Sequence, residues 1–259
     1  MIKIAFFDYD NTTFSHKSHS VPESTYVALE KLKENGIITC LSTGRGKYEL
    51  DNYFDLPRLK FDYYILFNGL QIIDDKNNLI NAKTMQGVDR QSVIRIFNEK
   101  KIPIVVGDDD DYYINFVNDQ VIKTMDSVSS PYPKVHDFVD KNIYMCSIMP
   151  GMIDNLDELV SINFPNCYHS KWVDGSYDIV QKGFSKADAI DCLVNKLNIN
   201  IKDTISFGDG DNDITMLKKT GIGVAMGNSS KNVLEAASYI TDGIDEDGIY
   251  NACKHFNLI

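Results

Sequence analysis

The chain has 259 residues, 43% of them hydrophobic and 24% charged, the proportions of an ordinary globular protein long enough to bury a core without disulfides or a structural metal. Its 26 basic against 37 acidic residues give a formal net charge of −11, which argues against a nucleic-acid-backbone binder and against docking on anionic membranes. No apolar run approaches the ~18–20 residues of a membrane span. The five cysteines (Cys40, Cys146, Cys167, Cys192, Cys253) form no C-x-x-C pair and read as free thiols of a reducing cytoplasm.

Ile2–Phe7 is a continuous apolar run, the pattern of a strand buried on both faces. Ser20 and Glu23 have capping-box spacing, Pro22 suits a first helical turn, and Val27, Ala28 and Leu32 recur near helical period up to Gly36, which predicts a helix. Strands follow at Ile37–Leu41 and Tyr63–Phe67. From about residue 84 to 182 the pattern changes: period-2 stretches at Tyr112–Val117, Tyr144–Ile148 and Tyr177–Gln181 mix with helical ones near Val88–Lys100 and Ile153–Ser161. Within it, Asp108–Asp111 reads as a solvated hairpin tip and the single tryptophan, Trp172, as core. Strand–helix alternation then resumes: helix Lys186–Leu197, strand Thr204–Phe207, helix Asn212–Lys219 closed by Gly221, strand Ile222–Ala225, helix Lys231–Ala237 and a short strand Tyr239–Thr241. The reading is a doubly wound, parallel-sheet (Rossmann-like) α/β core of residues 1–83 and 183–259, interrupted by an inserted α+β domain at 84–182.

Three polar segments follow core strands, where open α/β sheets place their sites. In Asp8-Tyr9-Asp10-Asn11-Thr12, two carboxylates two residues apart can share a crevice, although a solvated turn has the same look. Ser42-Thr43-Gly44-Arg45 can seat an anion on a hydroxyl and backbone N–H groups, or be a plain helix cap. Gly208-Asp209-Gly210-Asp211-Asn212-Asp213 has carboxylates at EF-hand positions 1, 3 and 5, but Ile214 and Thr220 stand where that loop needs Gly and Glu. A hard divalent ion still suits such a turn. Lys186, opening a late helix, reads alone as a surface lysine, and no G-x-G-x-x-G follows any strand.

The order of these segments, D-x-D-x-T, then Thr-Gly-Arg, then a lysine before a helix, then G-D-x-x-N-D, resembles the haloacid dehalogenase (HAD) superfamily. More narrowly it resembles the Cof-type phosphatases, whose core carries a type IIB α+β cap; Asn68-Gly69 and Ala225-Met226-Gly227-Asn228 match further features of that branch. The resemblance implies that Asp8 is the nucleophile and Asp10 the acid/base. It implies Mg²⁺ held by the Asp8 carboxylate, the Asp10 main-chain carbonyl and Asp209, with Asp213 and Asn212 just outside that shell. Thr43, Gly44 and Lys186 would bind the phosphoryl group, and Arg45, Asn68 and Asn228 would lie near the substrate.

The implied activity is Mg²⁺-dependent hydrolysis of small phosphomonoesters, such as sugar phosphates, in a cytoplasmic monomer or weak homo-oligomer. A phosphomutase and a non-catalytic phosphometabolite-binding regulator are the alternatives. Asn11 stands where the family most often has glycine and Thr13 where it commonly has an apolar residue, so altered loop detail with activity intact is expected. The inserted domain is expected to cover the site and select substrates.

Overall fold

The computed structural model describes residues 1–52, 58–127, 131–149, 155–173 and 175–259, with the side chain of Trp172 outside the description. The chain forms two compact units, Met1–Arg45 with Leu56–Ala82 and Phe184–Ile259, and Gly46–Asp55 with Lys83–Gly183. Residues just after Arg45, expected in the core, therefore fold with the insertion.

The first unit opens with β1 (Ile4–Phe7), α1 (Glu23–Glu34) and β2 (Ile38–Ser42). No side chain caps α1: Pro22 holds the N-cap position, and the Ser20 hydroxyl contacts Ser18 Oγ at 2.9 Å instead of the helix. Helix α2 (Lys47–Asn52) belongs to the second unit, where Lys134 Nζ donates to the Tyr48 hydroxyl. The first unit continues with β3 (Tyr63–Leu66) and a hairpin, β4 (Gln71–Asp74) and β5 (Leu79–Ala82), that sequence patterning had not indicated. Asp74 makes its turn, accepting N–H groups from Lys76 and Asn78.

The second unit runs α3 (Gly87–Glu99), β6 (Ile104–Asp108), β7 (Tyr112–Ile114), α4 (Asp119–Ser127), β8 (Lys134–Val135), β9 (Ile143–Ile148), α5 (Leu156–Asn163), β10 (Cys167–Val173) and β11 (Ser176–Gln181). Its sheet has the order β10-β11-β9-β6-β7-β8, antiparallel apart from the β7–β8 pair. One face packs Ile104, Val106 and Cys146 against Val93, Ile96 and Phe97 of α3, while Val105 and Ile114 on the other meet Val121 and Met125 of α4. Strand β7 ends early because buried Asn115 turns its amide onto the backbone, accepting from Ile104 N and Phe116 N and donating to Phe97 O and Ile102 O. The acidic run is solvated at its tip, where Asp109 and Asp110 are exposed, but it starts from a buried carboxylate. Asp108 is 4% exposed and accepts the Asp110 and Asp111 N–H groups, Asp109 accepts the Tyr144 hydroxyl, and Asp110 pairs with Lys141.

The chain returns to the first unit with α6 (Lys186–Lys196), β12 (Thr204–Gly208), α7 (Ile214–Lys219), β13 (Ile222–Ala225), α8 (Lys231–Ala236), β14 (Tyr239–Ile240) and α9 (Gly248–His255). Its sheet order is β14-β13-β12-β1-β2-β3-β4-β5, parallel from β14 to β3 and antiparallel thereafter. Ile4 and Phe6 face Ile190, Leu193 and Val194 of α6 and Met216 of α7. On the alternate positions, Phe7 stacks on Phe207 with centroids 4.9 Å apart. Burial of strand residues on both faces is what a doubly wound sheet requires. No helix of the described residues is long and apolar enough to cross a membrane.

Candidate active site

Strand β1 lies between β12 and β2, with Phe7 in register with both Phe207 and Leu41. The three strands therefore end level, and the segments after them leave the sheet together. The chain winds from β1 through β2 to β3 on one side and from β12 through β13 to β14 on the other, so the order reverses at β1. Open α/β sheets have a crevice at such a point.

Asp8, buried at the end of β1, Asp213 and half-buried Asp209 offer carboxylate oxygens all within 4.8 Å of one another. Lys186, 1% exposed, sits among them, its Nζ 2.5 Å from Asp8 Oδ1 and 2.6 Å from Asp213 Oδ1. Asp213 is fixed on its other oxygen, which accepts the N–H groups of Asp209 (3.1 Å) and Gly210 (3.0 Å). Position 208 must be glycine for this to fit, since a Cβ there would lie 2.6 Å from Asp213 Cγ. Thr12 donates its hydroxyl to Asp209 Oδ1 at 2.8 Å, and Thr13, buried like its neighbours, donates to the Asp8 carbonyl at 2.6 Å.

These contacts leave a charge imbalance. Burial, then Asp213, push the Asp8 carboxyl well above the usual range against the pull of Lys186. Burial and Asp213 likewise push Asp209 up to about 7. Burial works against the Lys186 charge, but Asp213 and Asp8 outweigh it and hold its pKa above the ordinary value. Three crowded carboxylates against one ammonium form an all-oxygen donor set short of positive charge, which fits a hard divalent cation. Asp213 lies beside the other two carboxylates, with one oxygen on Lys186 and the other on two backbone N–H groups.

The Asp10 carboxylate is not in that group. It points to Arg45, which donates Nη2 to Oδ1 at 2.7 Å and Nε to Oδ2 at 2.9 Å, and to His16, whose Nε2 is 2.7 Å from Oδ1. Burial alone would raise this carboxyl, but the Arg45 charge and the His16 and Arg45 hydrogen bonds bring it well below the usual range. Two carboxylates two residues apart thus sit in opposite environments. The loop that separates them is tight: Thr13 N and Phe14 N both donate to Tyr9 O, and Asn11 N to Phe14 O at 2.7 Å. Asn11 closes it in the left-handed region (φ 55°), a conformation that glycine takes freely and asparagine tolerates.

The remaining predicted residues surround this centre. Thr43, fully buried, accepts Arg45 N at 3.1 Å on its hydroxyl oxygen, which leaves the hydroxyl proton to donate. Gly44 lies under Asn68, whose amide would be 3.2 Å from a Cβ at that position. Asn68 itself accepts from Asn212 Nδ2 at 3.1 Å. Asn228 is engaged with the backbone, donating to Asn11 O and accepting from Ile244 N, so it braces the loop after β1. Sequence reading missed Thr12 as a partner, and it set His16 (like His19) in the loop after the first motif, near enough to visit the site, but read it as a surface-loop residue. Thr12 stands in the D-x-D-x-T motif, a signal that was available, whereas nothing in the spacing of His16 separates it from an ordinary loop histidine.

Comparison with known proteins points to one family. The sequence profile of the haloacid dehalogenase-like hydrolases matches residues 5–253. The chain is 29% identical over 260 residues to the putative phosphatase YkrA of Bacillus subtilis, covering 99% of this chain and 98% of YkrA. It superposes on a crystal structure of a hypothetical protein from Geobacillus kaustophilus with a TM-score of 0.89 and 29% identity, covering 100% of both chains. It superposes on the HAD subclass IIB sugar phosphatase BT4131 with a TM-score of 0.82 and 30% identity, covering 99% of this chain and 100% of that one. The first unit is thus the HAD core, the second its inserted cap domain, and the chain belongs to the haloacid dehalogenase-like hydrolases.

Proposed function

We propose that the protein is a Mg²⁺-dependent phosphatase of small phosphomonoesters, sugar phosphates among them, working through an aspartyl phosphate on Asp8. One observation carries this reading: Asp8 shares Lys186 with Asp213 inside a carboxylate group, while Asp10, two residues away, is held out of that group by Arg45 and His16. That difference supports Asp8 as the attacking carboxylate and Asp10 as the one that carries a proton.

Mg²⁺, held by Asp8 and Asp209 with the Asp10 carbonyl and with Asp213 orienting that shell, would supply the positive charge that lets an anionic nucleophile meet an anionic ester. The protein's own residues do the rest. Asp8 attacks phosphorus through one carboxylate oxygen, and the ester bond to the leaving oxygen breaks as Asp10 gives that oxygen its proton. A water then bonds to phosphorus while Asp10 takes its proton, and the Asp8–phosphorus bond breaks to release phosphate. Thr43 donates its hydroxyl to a phosphoryl oxygen, and Lys186 offsets charge on Asp8 as it is consumed and restored. An arriving phosphoryl dianion competes for Arg45, which raises the proton affinity of Asp10 for the first step. The parallel with YkrA and with the sugar phosphatase BT4131 supports the substrate class.

The test is release of phosphate from p-nitrophenyl phosphate, with Mg²⁺ and with EDTA, by wild type and Asp8→Asn. The expected result is turnover with Mg²⁺, none with EDTA, and a loss of about 10³-fold or more in the variant. Turnover that survives EDTA or the substitution would break the reading.

A further inference from the structure

We infer that the Ser42 hydroxyl is held in reserve for the aspartyl phosphate: it donates to Asp8 Oδ1 in the second half of the reaction and eases the departure of Asp8 from phosphorus. The inference rests on the phosphatase reading and names a group that serves its hydrolytic step. Ser42, the last residue of β2, is fully buried, and among the described residues its Oγ has no hydrogen-bond partner. A buried hydroxyl without a partner costs stability, and alanine would fill the place without that cost. Such an orphan points to a partner acquired in another state of the molecule.

The sheet register identifies that partner. Phe7 is level with Phe207 and Leu41. One residue on, Gly208, Asp8 and Ser42 stand in one row, the ladder continuing through Asp8 N to Phe207 O at 2.9 Å, and Ile65 stands beside Ser42. Asp8 and Ser42 project from the face that α6 and α7 cover, since Phe6, Cys40 and Ile65 pack there. Neighbouring strands lie about 4.8 Å apart, so rotation of the side chains can bring the Ser42 hydroxyl to the Asp8 carboxyl. At rest the two are kept apart. Asp213 occupies the space over Gly208, on the far side of Asp8 from Ser42, and Lys186 ties Asp8 Oδ1 to Asp213 Oδ1. Asp8 Oδ2 takes no hydrogen bond among the described residues and is the oxygen left to attack. Once Oδ2 carries phosphorus, Oδ1 is an uncharged carbonyl oxygen, the hold of Lys186 on it weakens, and Asp213 keeps the ammonium. Oδ1 is then free to accept from Ser42. As water bonds to phosphorus and gives its proton to Asp10, the Oδ2–phosphorus bond breaks and its electron pair stays on Asp8. The Ser42 hydroxyl, its proton still on Oγ, meets the charge that spreads to Oδ1.

Kinetics that separate the two halves of the reaction test this role against a structural one. On 2,4-dinitrophenyl phosphate, whose leaving group needs no proton, transfer to Asp8 is fast, so kcat reports the loss of phosphate from Asp8 while kcat/KM reports the transfer. Wild type and Ser42→Ala would be compared on this ester with Mg²⁺, and their Tm values measured. The expected result for Ser42→Ala is a loss of about fivefold or more in kcat, the worth of one hydrogen bond, with kcat/KM within about twofold of wild type. KM then falls with kcat, and mixing gives a burst of dinitrophenolate that approaches stoichiometry with the enzyme. The Tm of the variant equals or exceeds that of wild type, because an unpaired hydroxyl has been removed. A smaller loss in kcat, an equal loss in kcat/KM, or a lower Tm overturns the inference while leaving the phosphatase reading intact. A wild-type enzyme that does not turn over the ester overturns both.

Discussion

Asp209 bears the charge imbalance of the site, because its carboxyl is pushed up to about 7 by burial and by Asp213. Between about 4, where it ionises in the unfolded chain, and 7, the folded protein holds a proton that the unfolded chain has released. Stability of the metal-free protein therefore falls as pH rises through that window, and the penalty is complete above 7. Asp8 pushes in the same direction. The expected outcome, measured by thermal unfolding in EDTA from pH 5 to pH 8, is a falling Tm for wild type and a shallower slope for Asp209→Asn. The two proteins should be closest at pH 5 and the variant the more stable at pH 8; parallel curves would refute this. Mg²⁺ should raise the wild-type Tm at pH 8 more than that of the variant. Much of this centre was legible at the level of residue types, since carboxylates and a lysine placed at ends of parallel strands must converge once the strands stop level. What was not legible was which way each side chain turns. Asp10 and Asp213 differ by the groups around them, Arg45 and His16 against Lys186 and two backbone N–H groups, and those groups come from separate parts of the chain.

At the scale of elements, the placing of Lys186 depends on a turn far from it in sequence. Phe67, Asn68 and Gly69 follow β3 with consecutive positive φ values of 51°, 56° and 109°, and a Cβ on Gly69 would lie 2.4 Å from the carbonyl oxygen of Ser185. Ser185 is the N-cap of α6, and Lys186 is that helix's first residue. The turn and the helix start thus pack backbone to backbone, which only glycine permits. Gly69→Ala should destabilise the protein by about 1–3 kcal/mol through the strained φ alone, as read from urea unfolding. Turnover should fall further than stability does, since α6 must shift at the end that carries Lys186; a fully active, equally stable variant would refute this packing argument. The parallel strands were readable because burial on both faces leaves a continuous apolar run. The β4–β5 hairpin was not, because its two strands are short, one lies at the sheet edge and the polar stretch Asp74–Asn78 between them looks like any loop. The expected cap of α1 failed for a related reason: Ser20 has the right spacing, but its backbone pairs with Ser15 and draws the hydroxyl away from the helix.

Across the whole molecule, the cysteines give an independent reading of how completely both units bury their cores. Cys40 lies in β2 and Cys253 in α9 of the first unit, Cys146 in β9 and Cys167 in β10 of the second, and all four are buried as free thiols. Burial pushes Cys40 and Cys146 well above the ordinary thiol range and Cys167 and Cys253 up to about 12. A thiol so shifted has almost no thiolate at neutral pH, and thiolate is the form that attacks a disulfide reagent. Cys192, on α6, is the partly exposed one. Titration of the native protein with a chromogenic aryl disulfide at pH 7.5 should therefore show one thiol reacting promptly, lost in Cys192→Ser, and all five in guanidinium. Prompt reaction of Cys40 or Cys253 in the native state would mean that the first unit opens on that timescale, and of Cys146 or Cys167 that the second does. The sequence could show that the thiols are unpaired, but not which is accessible. Exposure is settled by helix packing, which turns Ile190, Leu193 and Val194 of α6 to the sheet and leaves Cys192 at the edge of the same contact.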